Sequence, residues 1–88
     1  MRLIHVSPAF ERKLVKFLKK NTYFAIKVDK VFSLLEKDPH HALLDTHKLH
    51  GQLAGHYACS ISYDVRLIFS YDDMHVYPKS IGSHDEVY

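Results

Sequence analysis

From Asp64 to Tyr88 the chain reads DVRLIFSYDDMHVYPKSIGSHDEVY, and the alternation in this stretch restricts the fold more than any other feature. Val65, Leu67, Phe69 and Tyr71 are apolar or aromatic, with Asp64, Arg66, Ile68 and Ser70 between them. A strand sends alternate side chains to opposite faces. One face therefore belongs to a core, and the other offers an arginine beside an acid. A tight turn at Asp72-Asp73 joins this strand to another, in which Met74 and Val76 alternate with His75, Tyr77 and Lys79. The tail that follows sets His84 and Tyr88 just beyond the sheet.

The same period starts at His56. Tyr57, Cys59, Ile61 and Tyr63 share the apolar side, and His56, Ala58, Ser60 and Ser62 the other. Three strands in succession form a meander, and its polar face collects Ser60, Ser62, Arg66, Tyr77 and Lys79. Something must cover the apolar face, and the first half of the chain supplies it. Ser7 followed by Pro8 is a helix start, a cap and then a residue with φ already set. Phe10, Leu14, Phe17 and Leu18 then recur at helical spacing, with Arg12, Lys13, Lys16, Lys19 and Lys20 around the rest of the surface. Asn21 ends this helix and Thr22 is the expected cap of the next. There Phe24, Val28, Val31, Phe32 and Leu35 form the stripe, and Asp38-Pro39 stops it.

Residues 2–6 make a short strand that joins the meander's sheet, because so short an element cannot stand alone. Residues 40–55 keep no period, contain two of the three glycines and read as a loop. The expected order is β-α-α-β-β-β, an α+β fold in one domain over residues 1–88 with both helices on one face of the sheet.

Hydrophobic residues make up 47% of the 88, enough for a core rather than a disordered segment. The single cysteine, Cys59, excludes an internal disulfide and a cysteine-rich zinc knot, and suits a reducing cytosol. No stretch is long enough to cross a membrane, so a soluble, cytoplasmic protein is expected. The net charge of +2 hides an asymmetry: residues 1–37 hold nine Lys/Arg and three acids, and residues 38–88 hold three and seven. A polyanion along the basic helices would account for this, as would a solvated lysine face.

Cleaving RNA without a metal needs three services at one phosphate: a base for the neighbouring 2′-OH, a cation for the crowded phosphorane-like charge, and an acid for the leaving 5′-oxygen. Histidine suits the first and last, because its pKa lies near working pH. Arginine suits the second, because its planar fork matches two phosphate oxygens. The candidates are His47 in the loop, Arg66 in the sheet and His84 in the tail, with Lys79 adding charge. Tyr77 and Tyr88 offer rings for an unpaired base. Asp64 either orients a histidine or pairs with Arg66. His40, His41, His47 and His50 lack the cysteines or helical spacing of a zinc site, so no metal or other cofactor is expected.

These residues resemble the RelE/YafQ group of toxins, the toxin halves of bacterial type II toxin–antitoxin pairs. The resemblance covers residues 1–88 in element order. It is carried by His47-Lys48-Leu49-His50-Gly51, Leu53-Ala54-Gly55, Asp64 to Phe69, Ile81-Gly82-Ser83-His84 and a terminal aromatic. It implies the same β-α-α-β-β-β fold and a ribosome-dependent mRNA endonuclease that leaves a 2′,3′-cyclic phosphate and a 5′-OH. It also implies a cognate antitoxin that wraps the toxin. Carried over residue by residue, His47 stands at an active-site histidine of YafQ-like proteins, where YoeB-like ones have a glutamate base. Asp64 stands at a YafQ-type aspartate, Arg66 at the phosphate-stabilising arginine of RelE and YoeB, and Lys79 at a basic position on the last strand. His84 stands at the tail histidine that acts as acid, and Tyr88 at the terminal aromatic. At Ala58 and Ser60, YafQ has an acid and a second histidine, so the chain mixes features of the two groups; Ser60 is kept as a substrate contact. A ParE-like gyrase poison or an inactive relative shares the fold without needing the histidine–arginine set.

Overall fold

Ser7 accepts a hydrogen bond from the Phe10 amide at 3.1 Å, and with Pro8 behind it the first helix, α1, runs over Pro8–Lys20. The computed structural model describes residues 1–88. Phe10 is buried on the inner face of α1, Leu14, Phe17 and Leu18 pack against the core, and the lysines stay outside. Asn21 closes the helix by returning its Nδ2 to the Phe17 carbonyl at 3.0 Å. The second helix, α2, spans Ala25–Lys37. The expectation that Thr22 caps it is corrected, because Thr22–Phe24 form a 3-10 turn and α2 begins without a side-chain cap. Its inner stripe of Val28, Val31 and Leu35 carries the helix instead, packed in the cluster that also holds Leu67, Phe69 and Val76.

Five strands form one sheet: β1 (Leu3–Ile4), β2 (His47–Lys48), β3 (Tyr57–Ser60), β4 (Val65–Tyr71) and β5 (His75–Ser83), in the order β1-β5-β4-β3-β2. β1 runs parallel to β5, and the other neighbours are antiparallel. The sheet is thus the expected meander with two additions. β2 lies inside the stretch read as a loop, where His47 faces Ala58 and Lys48 faces Tyr57. The tail is also more than a tail, since His84–Val87 form a short helix, α3.

Two further expectations are corrected on β3. The strand ends at Ser60, and residues 61–64 bend away from the sheet. Ile61 still reaches the core, but Tyr63, assigned to the apolar face, is 97% exposed. The polar face is also not wholly polar. Ala58 and Ile68 are cross-strand partners on it, and both are fully buried although neither belongs to the helix-side cluster. The tail starts at the end of β5, and Tyr88 reaches His47 on β2, so the last residues span β4 and β3 between them. Gly82 permits this path: a Cβ there would lie 3.3 Å from the Glu86 Cβ and 3.2 Å from its Oε1.

At the opposite end of the sheet, a cluster of rings pins the N-terminus. Arg2 lies over the Tyr71 ring at 5.1 Å, its backbone N–H donates to Glu36, and its Nε donates to the Asp72 carbonyl at 2.7 Å. His40 meets the Tyr71 hydroxyl at 2.7 Å, and the His41 ring accepts from the Leu43 amide. Two of the loop histidines therefore serve the local fold.

Candidate active site

Arg66 sits near the start of β4, opposite Ser60 on β3 and Gly82 on β5. Its Nη1 donates to three backbone carbonyls, those of Ser62 at 2.8 Å, Tyr63 at 3.1 Å and Val65 at 3.2 Å. The expected alternative of an Asp64–Arg66 ion pair does not form; the one acid–base pair within 4.0 Å in the chain is the exposed His84–Asp85 contact at 3.7 Å. Holding a guanidinium by neutral carbonyls leaves its charge uncancelled. Nε and Nη2, the edge that presents two parallel N–H groups, make no hydrogen bond to the protein.

That guanidinium lines an open cleft of about 520 Å³ together with Ser60, Ser62, Tyr63, Asp64 and His84. Each wall has a local cause. The bend after β3 delivers Ser62, Tyr63 and Asp64, and the Asp64 carbonyl accepts the His84 amide at 2.9 Å, which ties the start of α3 to the bend. α3 itself is held by a reciprocal cap. The Ser83 Oγ accepts from the Glu86 amide at 3.3 Å, and the Glu86 Oε1 accepts from the Ser83 amide at 2.8 Å. These hydrogen bonds to Ser83, with Lys20 and Lys16 behind them, hold the Glu86 carboxyl below its ordinary pKa.

Beyond His84 the site continues through Tyr88. Its ring meets the His84 ring edge-on with centroids 4.3 Å apart, and its hydroxyl lies 3.4 Å from the His47 Nε2. Burial pushes the Tyr88 phenol above its ordinary pKa, and the Arg66 charge opposes that shift without cancelling it. The phenol therefore stays protonated at neutral pH. Under the sheet at this point lies Cys59, whose thiol is pushed up to about 12 by burial against the opposing pull of Arg66. A thiol that resists ionisation is part of the packing and no nucleophile.

Of the residues singled out from sequence, Ser60, Asp64, Arg66 and His84 share the cleft, and Tyr88 and His47 adjoin it. His47 arrives on an edge strand rather than a loop. Lys79 and Tyr77 lie elsewhere. Lys79 is displaced by an irregularity in the β4–β5 register, where Phe69 faces Pro78 and Ile68 faces Ser80, so it stands about 10 Å along the strand from Gly82, the partner of Arg66. Its carbonyl accepts from the Lys13 ammonium at 3.1 Å. Tyr77 faces Ser70, and its hydroxyl donates to Asp72 at 2.7 Å, at the turn end of the hairpin. Tyr63 is the residue that sequence reasoning misplaced. The period of two continues through it, and only the run Ser62-Tyr63-Asp64, rich in turn formers, marks the break.

The chain and its fold have counterparts among known proteins. A family model described as "Bacterial toxin of type II toxin-antitoxin system, YafQ" matches residues 2–88. Comparison with curated proteins gives no match. Among solved structures, the chain is similar to YafQ from E. coli strain BL21(DE3), with 22% identity, TM-score 0.83, and coverage of 100% of this chain and 99% of that one. It is also similar to a chain of the E. coli DinJ-YafQ toxin-antitoxin complex, at 22% identity and TM-score 0.80 over 99% and 97% of the two chains. The YoeB dimer from Staphylococcus aureus gives 21% identity and TM-score 0.77 over 94% and 97%. At these identities the solved structures establish the shared fold.

Proposed function

The chain belongs to the YafQ family of type II toxin–antitoxin toxins, and from that premise we propose that it is an endoribonuclease cutting mRNA in the ribosomal A site. The observation that carries the reading is the meeting of an uncancelled guanidinium and a tail histidine in one open cleft, with a second histidine reached through Tyr88.

In the proposed reaction His47 takes the proton from a ribose 2′-OH, and the oxygen attacks the adjacent phosphorus. Charge builds on the non-bridging oxygens as the fifth bond forms. The free Nε–Nη2 edge of Arg66 binds two of those oxygens, a fork a lysine cannot reproduce. The bond from phosphorus to the 5′-oxygen then breaks, and His84 supplies the proton that the leaving oxygen needs. The products are a 2′,3′-cyclic phosphate and a 5′-OH. The Tyr88 hydroxyl orients His47 by accepting from its Nε2–H, which leaves the Nδ1 lone pair to take the ribose proton; Ser60 and Asp64 line the approach, and no metal or cofactor takes part. Lys79 and Tyr77 are left out of this assignment because of where they lie.

A cognate antitoxin is the proposed partner, as for the E. coli relative crystallised with DinJ. A groove lined by Lys27, Lys30, Val31, Leu34, Leu43 and Ile61 has an apolar floor and a basic rim, which suits an acidic amphipathic segment. Ser60 belongs to both groove and cleft, so a segment seated there approaches the chemistry.

The test is primer extension on cellular mRNA after induction. Arg66→Ala and His84→Ala are each expected to lower cleavage by about 100-fold or more. Cleavage that survives both changes, or a supercoiling defect with intact mRNA, overturns the assignment.

A further inference from the structure

The ring of Tyr63 has no contact that explains it. It is 97% exposed, more than any other large apolar or aromatic side chain in the protein, and it packs against no other ring. Tyr23, the next most exposed aromatic, at least lies over Phe24 at 4.7 Å. An aromatic face left in water contributes nothing to folding. Yet the backbone that carries this ring is fixed to the most important cation of the site. Arg66 Nη1 grips the carbonyls of Ser62, Tyr63 and Val65, so the residues on either side of the ring are indexed to the guanidinium itself. Tyr63 also lines the cleft that Arg66 and His84 share.

We infer that Tyr63 is a nucleobase platform, stacking on an unpaired base beside the phosphate that Arg66 holds. The inference rests on the ribonuclease reading and adds a residue that sets how substrate is positioned. Tyr88 does not duplicate the role. Its ring is committed edge-on to His84 and its hydroxyl to His47, whereas both faces of Tyr63 are open. A guanidinium with a free aromatic face on the bend it holds matches the repeat of a single strand, where phosphate and base alternate. Stacking tolerates any base, so Tyr63 supplies affinity and register rather than sequence preference.

The experiment is mRNA cleavage on purified ribosomes with an empty A site, comparing the unaltered toxin with Tyr63→Ala, Tyr63→Leu, Tyr63→Trp and Arg66→Ala. Alanine and leucine are expected to lower kcat/KM by roughly 5- to 150-fold, mostly through KM, and tryptophan to restore it. An mRNA with an abasic nucleotide next to the scissile phosphate should slow the unaltered toxin by a similar factor and leave Tyr63→Ala no slower than before. Thermal melting should be the same for all Tyr63 variants. Cleavage by Tyr63→Ala at the unaltered rate, or equal rescue by leucine and tryptophan, overturns the platform while the ribonuclease stands. If the unaltered toxin cuts nothing, or Arg66→Ala cuts equally well, the ribonuclease reading fails and the platform fails with it.

Discussion

Single side chains here act through what they hold. Arg66 secures a bend through three carbonyls, and Asp72 secures the β4–β5 hairpin through three donors: the Met74 amide at 2.9 Å, the His75 amide at 2.8 Å and the Tyr77 hydroxyl at 2.7 Å. All three donors to Asp72 favour the ionised carboxylate, with the Tyr77 hydroxyl the largest, and they depress its pKa to about 2 from an ordinary 3.8. A folded pKa below the unfolded value means that stability is present above the unfolded one and is lost as pH falls through the folded one. Melting curves from pH 5 to pH 2 should therefore show the unaltered protein losing its advantage over Asp72→Asn between about 3.8 and 2. A constant gap across that window would mean the carboxylate is not what holds the turn. Little of this was readable beforehand. The Asp72-Asp73 turn was visible as turn chemistry, but that Tyr77 donates to Asp72 follows from its place opposite Ser70, close to the turn, which alternation alone does not give.

Among the elements, the long ones were plain in the sequence and the short ones were not. α1 and α2 announce themselves by period and by Ser7, Pro8 and Asp38-Pro39; β4 and β5 do so by alternation. β2 is two residues long and shows no period at all, so His47 reads as a loop residue until Ala58 is found opposite it. α3 is one turn, held by its cap and by the His84 amide on Asp64 rather than by a buried stripe, as none of its residues is buried. Ser83→Ala removes half of that cap, a change that typically costs about 0.5–2 kcal/mol. Here the cost falls on the tail alone. Amide exchange over residues 84–88 should quicken and cleavage should drop, while the melting temperature moves by a degree or two at most. A large fall in melting temperature would show that α3 supports the fold as a whole.

At the scale of the molecule, two helices cover one face of a five-stranded sheet, and the last few residues and the cleft occupy the other. Leu35 is fully buried where the two layers meet. Leu35→Ala should lower unfolding stability by about 2–5 kcal/mol, read by urea titration, because the removed methyls leave a cavity that a rigid sheet closes poorly. A loss under about 1 kcal/mol would mean that the interface repacks. The layering itself was legible, since periodicities of 3.6 and 2 each leave one apolar side and the two sides must meet. The lone buried pair of Ala58 and Ile68 was not, because the alternation puts both on the face read as polar.

The order of strands carries one last consequence. β5 lies between β1 and β4, so the last strand of this sheet in chain order is a central one. Until residues 75–83 emerge, the first strand has no neighbour, β4 keeps an open edge, and nothing leads His84 back to Arg66. The pairing of β1, the closing of the β4 edge and the approach of His84 to Arg66 therefore come in a single event, the insertion of β5.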